Sequence, residues 1–318
     1  MKKISVPAWL AGLALLVTAP ALAQVAPGLP EDPGAAVVEE LVVQAKEPGP
    51  AWWVVSDADS TVYILGMPGG RIPPKSGWDR RYLDRRLKGA NSLILADAVR
   101  VSVGIRSFGE AMRLYRSVRS NTPLETRLQE PLRSRFIAAR QKVGQPERRY
   151  ANWTPFVASL MLVGDATPRG WVDPRDDIIR AARKAKVRRV ETRAHDVTDL
   201  ARDALGSMDP TLETACLSAA VRTVERARPE PVAQGWAEGD VAAAISGPRD
   251  FQGCILLLNG GAKVWRQIGA EHARLIAESL GTPGHSVALA DISMLVAEEG
   301  ILQKLKARGF TVIGPGGS

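Results

Sequence analysis

The stretch that decides the fold is TVYILGMPGG, residues 61–70. Its first half is β-branched, aromatic or apolar, which predicts a β-strand. Pro68 cannot donate a hydrogen bond to a sheet ladder, and the neighbouring glycines allow backbone angles closed to other residues. The strand is therefore expected to end in a turn at the rim of a sheet, a common place for a ligand. The turn carries no His, Asp, Glu, Ser or Cys, so it offers a place for a ligand without chemical groups of its own.

Two segments, near the start and near the end of the predicted domain, resemble one protein family. Residues 53–66, WVVSDADSTVYILG, are similar to the opening of the TraB/GumN family, in which this strand runs into a Gly-x-x-His motif. Residues 300–312, GILQKLKARGFTV, resemble the closing helix and strand, which follow a second Gly-x-x-His motif. The resemblance extends loosely over residues 51–313. It implies a metal-dependent hydrolase or protease whose motif histidines lie near the metal.

The sequence departs from that family at the positions expected to lie near the metal. The first motif histidine aligns with Gly69, and in the second motif Asp291 replaces the glycine and Met294 the histidine. The family's early Glu aligns with Ala96, and its Arg-Asn pair aligns with residues 261–262, which are Gly and Ala. A divalent metal needs about three or four converging N, O or S donors. The leading interpretation is therefore a member that keeps the fold, lacks the catalytic groups and acts by binding.

The candidate binding cleft is formed by the two aligned motif regions. We expect it to take a small ligand, a peptide or an envelope protein, with no cofactor and no catalytic residue. The residues assigned to it are Gly66, Met67, Gly69, Gly70, Asp291, Ser293 and Met294.

A second interpretation is an active hydrolase with relocated metal ligands, the only case in which a divalent metal is expected. Its candidates are Glu191, His195 and His272, with Asp291. Glu191 is expected to end a strand, and His195 with the following Asp to begin the next helix. His272 lies on the apolar stripe of a predicted helix over residues 261–280, which favours a partly buried core histidine, with a ligand role as the alternative.

The N-terminus has the pattern of a secretory signal over residues 1–23. Lys2 and Lys3 precede an apolar run at residues 6–17, and a small-x-small site ends at Ala23, before Gln24. Cleavage after Ala23 predicts a periplasmic protein with no transmembrane span after signal removal; an uncleaved anchor is the alternative.

Residues 24–50 are rich in Pro, Gly, Glu and Ala and predict a flexible arm before one domain at residues 51–318. Within the arm, residues 39–45 (EELVVQA) are an apolar island. This island predicts either a strand that pairs with a partner in the cell envelope, an edge strand of its own domain, or plain linker. An envelope interaction protein that uses this segment is the third functional interpretation.

The net charge and the cysteine content limit the possible partners and the cellular compartment. The 318 residues carry a formal net charge of +8, but the basic residues are scattered and accompany no nucleic-acid-binding motif, so no nucleic-acid partner is expected. Cys216 and Cys254 are the two cysteines. In an oxidising compartment such a pair usually forms a disulfide, with two buried free thiols as the alternative.

The predicted fold is α/β, with a small mixed sheet of N- and C-terminal strands and a large helical section between them. A hairpin is expected at residues 51–65, with further strands at residues 92–95, 187–190 and 285–290. Four Thr-Pro or Asp-Pro pairs predict helix starts within a helix-rich layer at about residues 107–245. These pairs are Thr122-Pro123, Thr154-Pro155, Asp173-Pro174 and Asp209-Pro210.

Overall fold

A computed structural model describes residues 48–95, 99–100, 108–191, 195–196, 198, 202, 204–205 and 208–316. The predicted signal at residues 1–23 and the apolar island at residues 39–45 lie outside the described residues. So does Ala96. Within the described residues, no helix is long and apolar enough to cross a membrane.

The centre of the fold is a six-stranded mixed sheet with the strand order β5-β3-β7-β2-β1-β8. Strands β2, β3, β5 and β7 run parallel, while β1 is antiparallel to both β2 and β8. A separate two-stranded parallel sheet pairs β4 with β6. The strands are β1 (Trp52–Ser56), β2 (Ser60–Met67), β3 (Ser92–Leu95), β4 (Val99–Arg100), β5 (Arg188–Glu191), β6 (His195–Asp196), β7 (Gly284–Asp291) and β8 (Thr311–Ile313).

The α/β prediction is confirmed. Strands β1 and β2 form the expected hairpin, in which Val55 pairs with Val62. The carboxylate of Asp57 accepts a hydrogen bond from the backbone N–H of Ser60 at 3.0 Å, as in an Asx-type turn. Strand β8, from the end of the chain, pairs with β1, so the first and last strands of the described domain close the sheet together.

Helices fill the space between the outer strands and cover the sheet. They are α1 (Arg81–Leu87), α2 (Phe108–Ser117), α3 (Leu124–Arg127), α4 (Leu132–Lys142), α5 (Pro155–Asp165), α6 (Pro174–Lys184), α7 (Pro210–Arg226), α8 (Pro229–Glu238), α9 (Val241–Ala244), α10 (Asp250–Leu257), α11 (Gly261–Leu280), α12 (Ile292–Val296) and α13 (Ile301–Lys306), with a 3₁₀ turn at Glu147–Arg149.

Three of the four predicted Pro helix starts are confirmed, since α5, α6 and α7 each begin at the proline. Asp173 and Asp209 accept backbone N–H groups of the first turn, as N-cap residues do. The fourth helix, α3, begins one residue later than predicted, with Pro123 as its N-cap.

The interior contains two hydrophobic clusters. The sheet cluster packs α1, α6, α8, α11, α12 and α13 around the strands and includes the fully buried Trp53. The helical cluster lies among α4, α5, α7 and α10 and includes Phe136 and Tyr150. Cys216 and Cys254 are buried in the helical cluster and form the predicted disulfide, which links α7 to α10 with 5.3 Å between the Cα atoms.

The expected helix start at His195-Asp196 is wrong. These two residues form β6, in which His195 pairs with Val99 and Asp196 with Arg100. Asp favours helix starts locally, but pairing with a neighbouring strand satisfies the same backbone groups and overrides a weak local preference.

Candidate functional site

The predicted cleft lies where β2 and β7 end. The two strands are parallel neighbours, and their last paired residues are Met67 and Asp291. Because parallel strands end at the same edge of a sheet, the turn after β2 meets the start of α12. A Cβ atom on Gly69 would lie 3.7 Å from Oδ2 of Asp291. The structure therefore brings together two segments that stand at opposite ends of the domain sequence.

Gly66 lies beneath the cleft and does not line it. A Cβ atom at this position would come within 2.7 Å of both Ile292 and Trp53, so only glycine fits between them. The indole N–H of Trp236 donates to the carbonyl oxygen of Gly66 at 2.7 Å. This glycine allows α12 to pack closely against the sheet, which is a structural role.

Met67 and Met294 also belong to the core. Their exposed fractions are 2% and 8%. The thioether sulfur of Met294 lies 3.7 Å from the position that a Cβ atom on Gly269 would occupy, so its side chain packs against α11. Of the predicted cleft residues, Gly69, Gly70, Asp291 and Ser293 line the cavity.

The carboxylate of Asp291 has two distinct sides. Its Oδ1 accepts the backbone N–H groups of Ser293 at 2.9 Å and Met294 at 3.2 Å, and also the hydroxyl of Ser293. Asp291 is therefore the N-cap of α12, a position at which Asp is strongly favoured. Its Oδ2 is the oxygen nearest Gly69, on the side of the turn that lines the cavity.

The cavity between these segments has a volume of about 470 Å³, within the usual range for small-molecule sites. Its walls come from both hydrophobic clusters. The strand ends form one wall, and Val163 of α5, Thr223 of α7 and Gln252 of α10 belong to the other. We call this cavity, with Gly69, Asp291 and the residues named below, the strand-end cleft.

Among the described residues, three arginines and one carboxylate line the strand-end cleft. The arginines are Arg71, Arg228 and Arg249, and the carboxylate is that of Asp291. Arg228 donates through Nη1 to the carbonyl oxygen of Ala227 at 3.0 Å, and Arg71 also donates to a backbone carbonyl oxygen. Because these acceptors are neutral, both guanidinium groups keep their positive charge at the lining, which favours anionic groups.

Two tryptophans give the cleft flat apolar surfaces. Trp171 and Trp265 line it, and both are partly buried. An isolated antiparallel bridge between Ile72 and Val172 has hydrogen bonds of 2.9 and 2.8 Å. This bridge holds Arg71 beside Trp171, and Nη1 of Arg71 donates to the carbonyl oxygen of Trp171 at 3.4 Å.

The alternative metal ligands occupy different environments. Glu191 is exposed at the end of β5 and forms an ion pair of 2.5 Å with Arg189. His272 is 2% exposed within α11, and its Nε2 has no hydrogen-bond partner among the described residues. Burial, aided by the charge of Arg175, lowers the pKa of His272 to about 4. The backbone of His195 lies in the two-stranded sheet.

The side chains at the cleft do not fit the divalent metal that the family resemblance implies. Among the described residues that line the cleft, Asp291 is the one that is His, Cys, Asp or Glu, and one of its oxygens already caps α12. Across the described residues, no group of three such side chains converges. Tetrahedral or octahedral coordination needs more donors than this arrangement offers.

Sequence reasoning missed the arginines and tryptophans of the cleft. Arg71, Arg228 and Arg249 stand in three distant segments, and no spacing rule connects them. The tertiary structure brings them together: the bridge at Ile72 positions Arg71, Arg228 lies between α7 and α8, and Arg249 directly precedes α10.

A protein-family model matches the part of the chain that forms the domain. The model of the TraB/PrgY/gumN family matches residues 51–313, well over half of the chain. Searches among curated proteins and among solved structures found no match. The matched region contains the whole six-stranded sheet and both segments that meet at the strand-end cleft. The chain therefore belongs to the TraB/PrgY/gumN family.

Proposed function

We propose that this family member binds a ligand in the strand-end cleft and has lost metal-dependent hydrolysis. The observation that carries the proposal is the arrangement of Gly69 and Met294. Gly69, aligned with the first motif histidine, faces Asp291 without a side chain. Met294, aligned with the second, is directed into the core against α11. The positions expected to lie near a metal thus contribute no donor atom, while the cleft between them stays open.

Binding is supported by the lining of the cleft. An inactive remnant with no role has no need of an open cavity, and apolar side chains could fill it with a gain in packing. Instead the cavity combines aromatic surface, as at Trp265, with polar side chains such as Gln252 and Ser293. A mostly apolar concavity with a few convergent polar groups is the usual character of a ligand site.

The proposal includes export to the periplasm after cleavage of residues 1–23. The signal pattern of the sequence supports it, and a buried disulfide between Cys216 and Cys254 is typical of proteins that fold in an oxidising compartment. Fractionation of the producing cells and N-terminal sequencing of the purified protein test this part. A mature chain that begins at Gln24 in the periplasmic fraction is expected, and an intact N-terminus in the cytoplasm would contradict it.

The loss of metal chemistry is tested by measuring metal content. The mature chain is dialysed against buffer with a trace of zinc and manganese, and bound ions are counted by mass spectrometry. Far less than one ion per chain is expected. A stoichiometric ion that disappears in the variant Asp291→Asn would instead support the hydrolase with relocated ligands.

Ligand binding in the cleft is tested by blocking it. Gly69 is exposed, and a Cβ atom there would meet only Asp291 within 4 Å among the described residues. The variant Gly69→Trp should therefore fold and fill the cavity. Gly109→Trp is the matched control, because Gly109 is exposed on α2 and lies outside the lining of the cleft.

A further inference from the structure

We infer that the ligand of the strand-end cleft is a small organic anion with an aromatic or aliphatic body. This inference rests on the proposed function, namely that the cleft binds a ligand, and it specifies the chemical class. Three features of the cleft carry it: the guanidinium groups of Arg71 and Arg228, the two indole surfaces and the volume.

The charge of the lining selects the acid group. Arg71 and Arg228 approach the cleft from two separate segments, and Asp291 is the one carboxylate among the described lining residues. The Oδ1 atom of that carboxylate is already engaged with the N-terminus of α12, which reduces its repulsion of an anion. Guanidinium groups bind carboxylate, sulfonate and phosphate oxygens through charge-assisted hydrogen bonds.

The aromatic lining selects the body of the ligand. Arg71 and Trp171 both line the cleft, and the guanidinium of Arg71 donates to the backbone carbonyl oxygen of Trp171, so one ligand can reach both side chains. Trp265 of α11 and Ile245 line the same cavity and extend the apolar surface. Flat or aliphatic groups gain about 25 cal/mol for each Å² of apolar surface that they remove from water.

The volume sets the size. About 470 Å³ accommodates a single small molecule rather than a folded partner, since ligand pockets span roughly 300–1,000 Å³. A bare inorganic anion would leave the indole surfaces uncovered. A neutral apolar molecule would place no opposite charge beside the guanidinium groups of Arg71 and Arg228, whose hydrogen bonds go to backbone carbonyl oxygens. An organic anion satisfies both parts of the lining.

Two fluorescent probes with the same ring system test the inference. 8-Anilinonaphthalene-1-sulfonate carries a sulfonate, and N-phenyl-1-naphthylamine is its neutral counterpart. Both are titrated into the native mature chain. The sulfonate is expected to bind with one saturable site and at least about tenfold more tightly, the effect of one or two charge-assisted hydrogen bonds.

The variants then locate the site and assign the charge preference. Arg71→Gln and Arg228→Gln, both at exposed positions, should each weaken sulfonate binding about tenfold and leave the neutral probe unchanged. Arg308→Gln, an exposed position outside the cleft, is the control and should change neither. Gly69→Trp should abolish binding of the sulfonate, whereas Gly109→Trp should not.

The outcomes separate the two proposals. If both probes bind equally and are lost in Gly69→Trp but not affected by the arginine variants, the cleft binds ligands and the anionic class is wrong. If sulfonate binding survives Gly69→Trp, the probe binds elsewhere, and both the class and the cleft assignment are overturned. If neither probe binds the native chain, the inferred class is overturned, while the metal measurement still decides the proposed loss of hydrolysis.

Discussion

Oδ2 of Asp291 faces Gly69 across the end of the sheet, and a side chain added at Gly69 would meet this oxygen at 3.7 Å. Among the described residues that line the cleft, this carboxylate is the one acidic or metal-binding side chain at the place where the family resemblance implies a metal centre. The same lining includes guanidinium and indole groups. We expect this lining to affect both ligand binding and the stability of the fold.

Restoring the family histidines should not restore a metal site. In Gly69→His the new imidazole can approach Asp291, which gives two donors. In Met294→His the ring would lie in the core against α11, because Met294 is 8% exposed. The double variant is therefore expected to lack tight zinc binding and to lose about 1–3 kcal/mol of stability from the buried polar ring. Calorimetric zinc titration and urea unfolding measure the two effects. Micromolar or tighter zinc binding would contradict the orientation of Met294.

Two substitutions distinguish the capping role of Asp291 from the effect of its charge. Asp291→Ala removes the acceptor of the N–H groups of Ser293 and Met294 and should cost about 1 kcal/mol of unfolding free energy. Asp291→Asn keeps an N-cap acceptor and should stay within a few tenths of a kcal/mol of the native chain. Urea unfolding of both variants checks this. Equal losses in the two would show that the cap does not contribute as described.

Acid should destabilise the fold through His272. Its folded-state pKa of about 4 lies below the ordinary value of 6.5, because it is buried and lies near the charge of Arg175. Between these values the unfolded chain binds more protons, so stability falls as the pH drops from about 6.5 towards 4, by on the order of 3 kcal/mol.

The variant His272→Phe tests this dependence, because a phenyl ring has a similar shape and does not titrate. Unfolding by urea is measured at pH 7.5 and pH 4.5 for both chains. The variant should lose less stability on acidification than the native chain. The same loss in both chains would assign the acid sensitivity to other groups.

Reduction of the disulfide should affect both stability and the cleft. Cys216 and Cys254 are 38 residues apart, and closing a loop of this length contributes roughly 3–4 kcal/mol. The bond joins α7 to α10, which carry Thr223 and Gln252 of the cleft wall. The double variant Cys216→Ala/Cys254→Ala is therefore expected to unfold at lower urea concentration and to bind the sulfonate probe more weakly. Unchanged probe affinity would show that the cleft wall is held without the bond.

The sequence predicted the parts of the fold that local patterns determine. The hairpin of β1 and β2 follows from two alternating runs around a polar turn, and α11 was predicted at its observed limits because its apolar stripe continues from Trp265 to Ile276. The helix predicted at His195 was wrong, because pairing with β4 is a tertiary effect. In the same way the tertiary packing of Gly66 under α12 could not be derived from a turn motif.

The sequence indicated the sheet edge at which the candidate cleft lies, but not the side chains that line it. A strand that ends at Met67 indicates a sheet edge, and the resemblance places Asp291 at the same edge. The guanidinium of Arg228, at the junction of α7 and α8, and the indole of Trp265, on α11, line the same cavity from positions far along the chain. Their approach depends on how the two clusters pack, which no periodicity in the sequence records.

Because the strand-end cleft lies between the two hydrophobic clusters, ligand binding is coupled to the stability of the domain. A molecule that occupies it touches the strand ends on one side and the disulfide-linked helices on the other, and so joins the two halves of the interior. Part of its binding free energy then opposes separation of the two clusters, since a ligand that binds only the form in which they are packed together stabilises that form. Ligand binding in the cleft should therefore slow cleavage of the chain by proteases, and this effect can be measured even before the natural ligand is identified.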